Sequence, residues 1–198
     1  MNGMDERLHR FEILKPGKKD YIEEKGKSMS LLKITNCITK QDAEVEKEVK
    51  KCMESFDAYY EAHIEGFEER GIEEEELEDY EEEELQWLAL ADLLVSRAYC
   101  CELDWKCYLE DFCECISQLQ GVEEYNLTIE QEWFDEEGDV TDWCTVLEEK
   151  WKDQGMCIGA LDLDSDCYVL FPVPSDELEQ LIQWAEEIGQ RIDHGENM

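Results

Sequence analysis

Basic residues are scarce in this sequence of 198 residues: 18 Lys and Arg stand against 54 Asp and Glu, and the formal net charge is -36. Nucleic acids and anionic membrane surfaces are polyanions, which proteins bind by neutralising phosphate with Lys and Arg. We therefore expect no direct binding to nucleic acid and no binding to membrane. Apolar residues still make up 42% of the chain, enough apolar surface to drive collapse into a folded core.

Long apolar runs and targeting patterns are also missing. No run of 18 or more apolar residues could span a bilayer, and no N-terminal stretch joins a positive flank to a short apolar run. The sequence therefore predicts a cytoplasmic protein. Its ten cysteines are expected to remain free thiols in a reducing compartment and to serve as small core residues.

Motifs of catalysis and metal binding do not occur either. The chain has no Gly-rich phosphate loop, no G-x-S-x-G and no H-E-x-x-H. Its three histidines, His9, His63 and His194, are scattered, with His194 in a tail that we expect to fray, and no Cys-x-x-Cys pair is present. We interpret the chain as a protein without enzymatic activity, structural zinc or other cofactor.

Three aspartates, Asp162, Asp164 and Asp166, have the alternating spacing that begins a calcium-binding loop. Position six of such a loop would be Cys167 where Gly is required, and position twelve would be Val173 where a bidentate Glu is required. We interpret the aspartates as residues of a hairpin turn.

Charge divides the chain into two parts. Residues 1–40 carry nine Lys and Arg against six Asp and Glu, whereas residues 41–198 carry nine against 48. The first segment contains Pro16, Gly17 and Gly26 and shows little periodicity. We expect residues 1–28 to form a basic arm, either flexible or an added strand and helix, and residues 29–198 to form one acidic domain.

Apolar residues recur every three or four positions in five segments, which predicts amphipathic helices. The segments are 41–70, an acidic run at 73–84 that leads into 85–95, then 108–119, 141–153 and 176–188. Tyr108 is expected to share a buried face with Phe112 and Ile116. Thr141 is the expected N-cap of the helix that it precedes.

Two apolar runs rich in β-forming residues, Met156–Leu163 and Cys167–Val173, flank turn residues and predict a β-hairpin buried on both faces. Residues 125–133 alternate in polarity, and we favour a strand there over a short helix capped by Thr128. The fold class that follows is α+β: several amphipathic helices packed on a small, mainly antiparallel sheet, with a C-terminal hairpin and helix.

Two parts of the chain resemble a known family: the segment 159–174, GALDLDSDCYVLFPVP, with the helix that follows it, and residues 102–106, which precede an earlier helix. They resemble an uncharacterised bacterial domain family, parts of which sit among toxin and immunity genes. The resemblance covers the C-terminal half of the chain. It implies an α+β fold and no known catalytic residue, and it favours an immunity protein.

The surplus of carboxylates predicts attraction of a basic protein partner, because complementary charge raises association rates from about 10^5 toward 10^8–10^9 M⁻¹s⁻¹ at low salt. Tryptophans 87, 105, 133, 143 and 151 are candidate anchors. We predict an immunity-type inhibitor that blocks a basic effector or toxin such as a nuclease. The expected contacts are Glu73, Glu74, Glu75, Glu76, Asp79, Glu81, Glu82, Glu83 and Glu84, with Asp164 and Asp166 as a second patch.

Three other interpretations stay open at the level of sequence. In the first, the acidic run is a solvated helix face that maintains solubility. In the second, the protein mimics nucleic acid and intercepts DNA-handling or defence proteins. The third interpretation is a small metal-dependent hydrolase that uses Asp104, Asp162 and Asp166. A mimic should compete with DNA for several unrelated proteins, and such a hydrolase should bind Mg²⁺ or Mn²⁺.

Overall fold

A computed structural model describes residues 18–198, with side chains from residue 26 onward. Residues 1–17, most of the predicted arm, lie outside the described residues, and residues 18–28 begin a long helix. In the described part, eight α-helices and a four-stranded antiparallel sheet confirm the predicted α+β fold. The helices are α1 (Lys18–Ile38), α2 (Ala43–Glu54), α3 (Phe56–Glu69), α4 (Glu82–Ser96), α5 (Leu109–Ser117), α6 (Gln120–Glu124), α7 (Val140–Trp151) and α8 (Ser175–Glu187). The strands are β1 (Cys101–Asp104), β2 (Met156–Leu161), β3 (Cys167–Pro174) and β4 (Ile192–His194).

The sheet lies between two layers of helices, in the strand order β1-β3-β2-β4. Every residue of β2 is buried, because successive side chains of a strand point to opposite faces and both faces are covered. One core contains residues of α1, α2, α4 and α8, and the other contains residues of α5, α6 and α7. The predicted hairpin, buried on both faces, is therefore confirmed. Among residues 18–198, no helix is both long enough and apolar enough to cross a bilayer.

At Gly159, the side chains of Phe171 and Leu178 lie close to the backbone of β2. A Cβ atom at this position would lie 2.7 Å from Cζ of Phe171 and 3.1 Å from Cδ1 of Leu178. The first distance is shorter than real Cβ contacts and the second is tighter than most, so glycine lets the Phe171 ring lie across β2 beneath α8.

The predicted helix at 41–70 is wrong in one respect, because it is two helices. The chain breaks at Ser55, whose backbone is extended with φ -160° and ψ 91°. The apolar stripe runs through the break because both helices pack on α4: Val49 lies in the core with Leu90, and Phe56 lies in a smaller cluster with Leu85. A change of direction between two helices that contact the same neighbour leaves the spacing of apolar residues intact.

The strand predicted at 125–133 is also wrong. These residues form a loop that ends in a 3₁₀-helix at Gln131–Trp133. The buried side chain of Leu127 belongs to the core beneath α7, and the indole N–H of Trp151 donates to the main-chain oxygen of Thr128 over 3.0 Å. The alternation of polarity thus reflects packing against a helix instead of pairing in a sheet.

Two details of the helix ends also differ from the prediction. Asp139, and not Thr141, caps α7: its Oδ1 accepts the backbone N–H of Thr141 at 2.9 Å and that of Asp142 at 3.0 Å. Tyr108 precedes α5 at the N-cap position and is 79% exposed, so it is not part of the buried face with Phe112. α7 begins at Val140, one residue before Thr141, so the capping position falls on Asp139. Tyr108 precedes the first turn of α5 and therefore does not lie on its buried face.

Candidate binding surface

The acidic segment, residues 73–84, joins α3 to α4 and is helical only at its end. Residues 73–81 form turns and a 3₁₀-helix at Leu77–Asp79, and α4 begins at Glu82. The predicted continuous acidic helix is therefore wrong. Ile72 is buried and Leu77 is half-buried against the cluster that contains Phe67, which fixes the segment to the body of the protein.

Most carboxylates of the acidic segment face solvent. Glu82 and Glu83 are the half-buried members: Glu82 accepts a hydrogen bond from Gln86 Nε2 at 2.7 Å, and Glu83 forms an ion pair with Lys27 at 2.8 Å. The hydrogen bond from Lys27 lowers the pKa of Glu83. Seven of the exposed members form no ion pair with any residue of the described part; they are Glu73, Glu74, Glu75, Glu76, Asp79, Glu81 and Glu84.

Asp162, Asp164 and Asp166 lie where the hairpin turns, as the sequence predicts. Asp162 is engaged on both sides: its Oδ1 accepts the backbone N–H of Asp164 at 2.9 Å, and its Oδ2 pairs with Nη1 of Arg191 at 3.2 Å. Asp164 has a positive φ of 53°, a conformation in which Asp is common among non-glycine residues. Asp164 and Asp166 are exposed, and neither forms an ion pair with a residue that the structure describes.

Trp105 lies beside this turn and forms part of the same surface. Its backbone N–H donates to the main-chain oxygen of Asp166 over 3.1 Å, and its side chain is 50% exposed. Nζ of Lys106 lies 4.3 Å from the centre of the indole ring, within cation–π range. We call Trp105, Asp164 and Asp166 the hairpin surface. A recess of about 600 Å³ opens beside it, lined also by Tyr168, Arg191 and Met198.

Four of the five tryptophans proposed as anchors have structural roles. Trp87, Trp143 and Trp151 are buried in the two cores, and Trp133 is half-buried against the core beneath α7. Trp105 is thus the member of this set with a broad accessible face. Trp87 still matters to the surface, because its indole N–H donates to the main-chain oxygen of Asp162 and so joins α4 to the hairpin turn.

A larger recess, of about 1030 Å³, lies between α3 and α4, but its inner charges are compensated. Arg70 reaches into it, with Nε 2.7 Å from Oδ1 of Asp92 and Nη2 2.8 Å from Oε2 of Glu102. His63 lines the outer wall, where its ring stacks on Tyr59 with centroids 4.0 Å apart. These contacts tie α3, α4 and β1 together, so we assign this recess a structural role.

Two of the three aspartates of the hydrolase interpretation support turns. Oδ1 of Asp104 accepts the backbone N–H of Lys106 at 2.8 Å, while Asp162 is engaged by Asp164 and Arg191. Among the described residues, Asp104, Asp162 and Asp166 do not gather into a group of three ligand atoms that could share a metal ion.

A different group of three does meet, which no pattern in the sequence indicated. Glu148 on α7, Cys157 on β2 and His194 on β4 offer ligand atoms within 4.8 Å of one another. The expectation that His194 lies in a fraying tail is wrong, because β4 pairs with β2 and places His194 opposite Gly159. Only the pairing of the last strand, which the sequence did not predict, brings these residues together.

All ten cysteines lie in the described part, and all are free. Cys101 on β1 and Cys115 on α5 share a hydrogen bond between their side chains. This hydrogen bond lowers the pKa of Cys115, whereas the same bond and burial raise the pKa of Cys101. Burial raises the pKa of Cys100, so that thiol is unreactive.

Comparison with known proteins supplies a family. The sequence model of a family described as "Domain of unknown function (DUF6630)" matches residues 30–195. The chain belongs to the DUF6630 family. This DUF6630 domain extends well beyond the C-terminal half covered by the resemblance in the sequence, from the middle of α1 through β4, and the match carries no link to toxin or immunity genes. No curated protein and no solved structure matches the chain.

Proposed function

We propose that this protein is a cytoplasmic, non-enzymatic acidic binding module that docks on a basic protein, in the manner of an immunity protein that inhibits a basic effector. The observation that carries the proposal is the position of Trp105, half-exposed and hydrogen-bonded through its backbone to Asp166. An aromatic side chain beside unpaired carboxylates is the combination that binds Lys and Arg side chains.

Charge supports the first step of docking. The unpaired carboxylates of the hairpin surface and of the acidic segment contribute to a net charge of -36. Such a field increases the rate of encounter with a cationic protein, and the increase weakens as salt screens the charges. Exposed acids contribute little to the strength of the final complex, because surface ion pairs are worth about 0–1 kcal/mol each.

Trp105 supports the second step, the retention of the partner. Large aromatic side chains that become desolvated in the centre of an interface commonly contribute about 2–4 kcal/mol to binding. The recess beside Trp105 has room for a long side chain, and Asp164 and Asp166 lie at its rim. A Lys or Arg of the partner that enters here contacts the indole face through its aliphatic stem and the aspartates through its charged end.

Inhibition follows if the partner uses the same basic surface to bind its own ligand. A nuclease, for example, binds phosphate with Lys and Arg, so an acidic protein that covers these side chains excludes the nucleic acid by charge and by volume. The mechanism requires no catalytic group and no cofactor on this chain.

The experiment is capture followed by inhibition. The full chain is immobilised, exposed at low salt to an extract of the cells that produce it, and each retained protein is purified and assayed with and without this chain. We expect one basic protein to be retained and its activity on an anionic substrate to be inhibited. If the retained proteins are many and unrelated and are released by DNA, the protein is a nucleic-acid mimic and the proposal is wrong.

A matched pair of variants separates the acidic segment from general charge. Replacing Glu73, Glu74 and Glu75 with Gln removes three exposed charges near the cluster of Phe67, while replacing Glu132, Glu136 and Glu137 with Gln removes three exposed charges in the opposite layer of helices. We expect slower capture by the first variant only. Equal capture by both would show that the acidic segment serves solubility alone.

A further inference from the structure

The group of Glu148, Cys157 and His194 lies at the edge of the sheet where β4 ends. β4 pairs with residues 159–161 of β2, so Cys157 and Ile158 lie just beyond its cover. Nδ1 of His194 is 2.9 Å from Oε1 of Glu148, and the ligand atoms of all three side chains lie within 4.8 Å of one another. Three separate elements thus direct one sulfur, one nitrogen and one oxygen toward the same point.

The backbone holds Glu148 in this position. Its Oε1 accepts the N–H of Ile158 at 3.3 Å, where the strand has no backbone partner from β4. A ligand that is held by a second hydrogen bond loses less freedom when it binds a metal ion, which is the role of outer-shell contacts in known metal sites. Glu148 and His194 keep partial access to solvent, with 19% and 29% of their side chains exposed.

Cys157 is fully buried on β2, next to the carboxylate of Glu148. Its Sγ lies 3.4 Å from the main-chain oxygen of Val173, to which the thiol donates. Once a metal ion has displaced the thiol proton, one thiolate and one carboxylate carry two negative charges, which a divalent cation neutralises in place.

We propose that Glu148, Cys157 and His194 bind a zinc-type transition-metal ion, with the fourth position open to water from the exposed side of His194. Cys, His and Glu are all zinc ligands, and tetrahedral geometry with bonds of about 2.0–2.3 Å places ligand atoms roughly 3.4–3.6 Å apart. The observed separations, 2.9 Å for one pair and at most 4.8 Å for the others, require shifts of about an ångström. Binding displaces the proton of Cys157, which passes to solvent as the metal–sulfur bond forms.

Cobalt(II) tests the site, because a cobalt–thiolate bond produces a charge-transfer absorption that other ligands do not. The full chain is titrated with Co²⁺ alone under reducing conditions, and then with Zn²⁺. We expect one equivalent of Co²⁺ to produce the band and Zn²⁺ to abolish it. Absence of the band, or binding of several equivalents without saturation, would overturn the proposal.

Variants assign the ligands. Cys157→Ser should abolish the band, and His194→Gln and Glu148→Gln should each weaken Co²⁺ binding at least tenfold. Cys100→Ser is the matched control: this thiol is buried as deeply in the same core, does not belong to the group of three ligand atoms and should leave the band unchanged. Circular dichroism checks that each variant is folded; a band that survives in folded Cys157→Ser, or in both other variants at full affinity, contradicts the assignment.

Discussion

The indole N–H of Trp87 donates a hydrogen bond to the main-chain oxygen of Asp162 over 2.8 Å. Trp87 lies one turn after the acidic start of α4, and Asp162 is the first residue after β2. The bond therefore links the acidic segment to the hairpin turn through the core. Because both ends are buried or half-buried, the two groups of carboxylates keep a fixed arrangement, which favours a single docking geometry over diffuse attraction.

Removing this bond should affect both stability and docking. Trp87→Phe leaves the oxygen of Asp162 without its donor, and we expect the free energy of unfolding to fall by about 1–3 kcal/mol, measured by denaturant titration. Trp151→Phe is the matched control, since Trp151 is equally buried and donates to Thr128 in the opposite layer. Both variants should lose stability, but only Trp87→Phe should slow association with the partner. Equal association rates for the two would show that the link has no role in docking.

Trp105 should matter to binding and not to folding. Because the side chain of Trp105 is half-exposed, Trp105→Ala should change the free energy of unfolding by less than about 0.5–1 kcal/mol. Dissociation of the partner should become about 30-fold faster or more, which surface plasmon resonance measures. Ile64→Ala, which removes another exposed apolar side chain from α3, should leave dissociation unchanged. A dissociation rate that is the same in Trp105→Ala and the wild type contradicts the role of the indole.

Gly159 should tolerate no side chain. Gly159→Ala places a Cβ 2.7 Å from Phe171 inside the hairpin, and we expect a loss of about 1–3 kcal/mol in denaturant titration. Gly66→Ala on α3 is the control, because nothing lies within 4 Å of its added Cβ and alanine favours a helix by about 1 kcal/mol. The two substitutions should therefore shift stability in opposite directions. A neutral Gly159→Ala would mean that Phe171 does not lie across β2 as described.

Cys115 should react faster with alkylating reagents than the other half-buried thiols. The hydrogen bond from Cys101 lowers the pKa of Cys115, so the reactive thiolate is populated at lower pH than in an ordinary cysteine. Its alkylation rate should rise with pH and level off before that of Cys113, whose pKa burial raises. Cys101→Ala should remove the difference, as read by mass spectrometry of the labelled peptides. Unchanged labelling of Cys115 in Cys101→Ala would rule out the hydrogen bond as its cause.

Where local chemistry decided the structure, the sequence predicted it. The run from Met156 to Val173 has strand-forming residues on both sides of a turn, and the structure forms that hairpin. The helix at 175–187 likewise follows from its periodicity and from Gly189, whose φ of 76° ends it. These elements need no distant partner to define their type.

Elements that depend on a partner far away in the sequence were not predicted correctly. The alternating residues near Leu127 pack under α7, held by Trp151, and do not pair as a strand. β4 is three residues long and is stabilised by its pairing with β2. The sequence therefore predicted neither this strand nor the contact between Glu148 and His194. Trp105 is a further example: as a tryptophan among acids it was a candidate anchor, but only the structure showed that it is exposed next to Asp166.

The central claim, that carboxylates of the hairpin surface guide a basic partner, is tested most directly by association rates across a range of salt concentrations. Asp164→Asn with Asp166→Asn is compared with Asp153→Asn with Asp176→Asn, which removes two exposed aspartates at the opposite end of the sheet. At low salt we predict that the hairpin pair slows association about three- to tenfold and flattens its dependence on salt, while the control pair stays close to the wild type. Equal rates for the two pairs, or a larger loss in the control, would contradict the account.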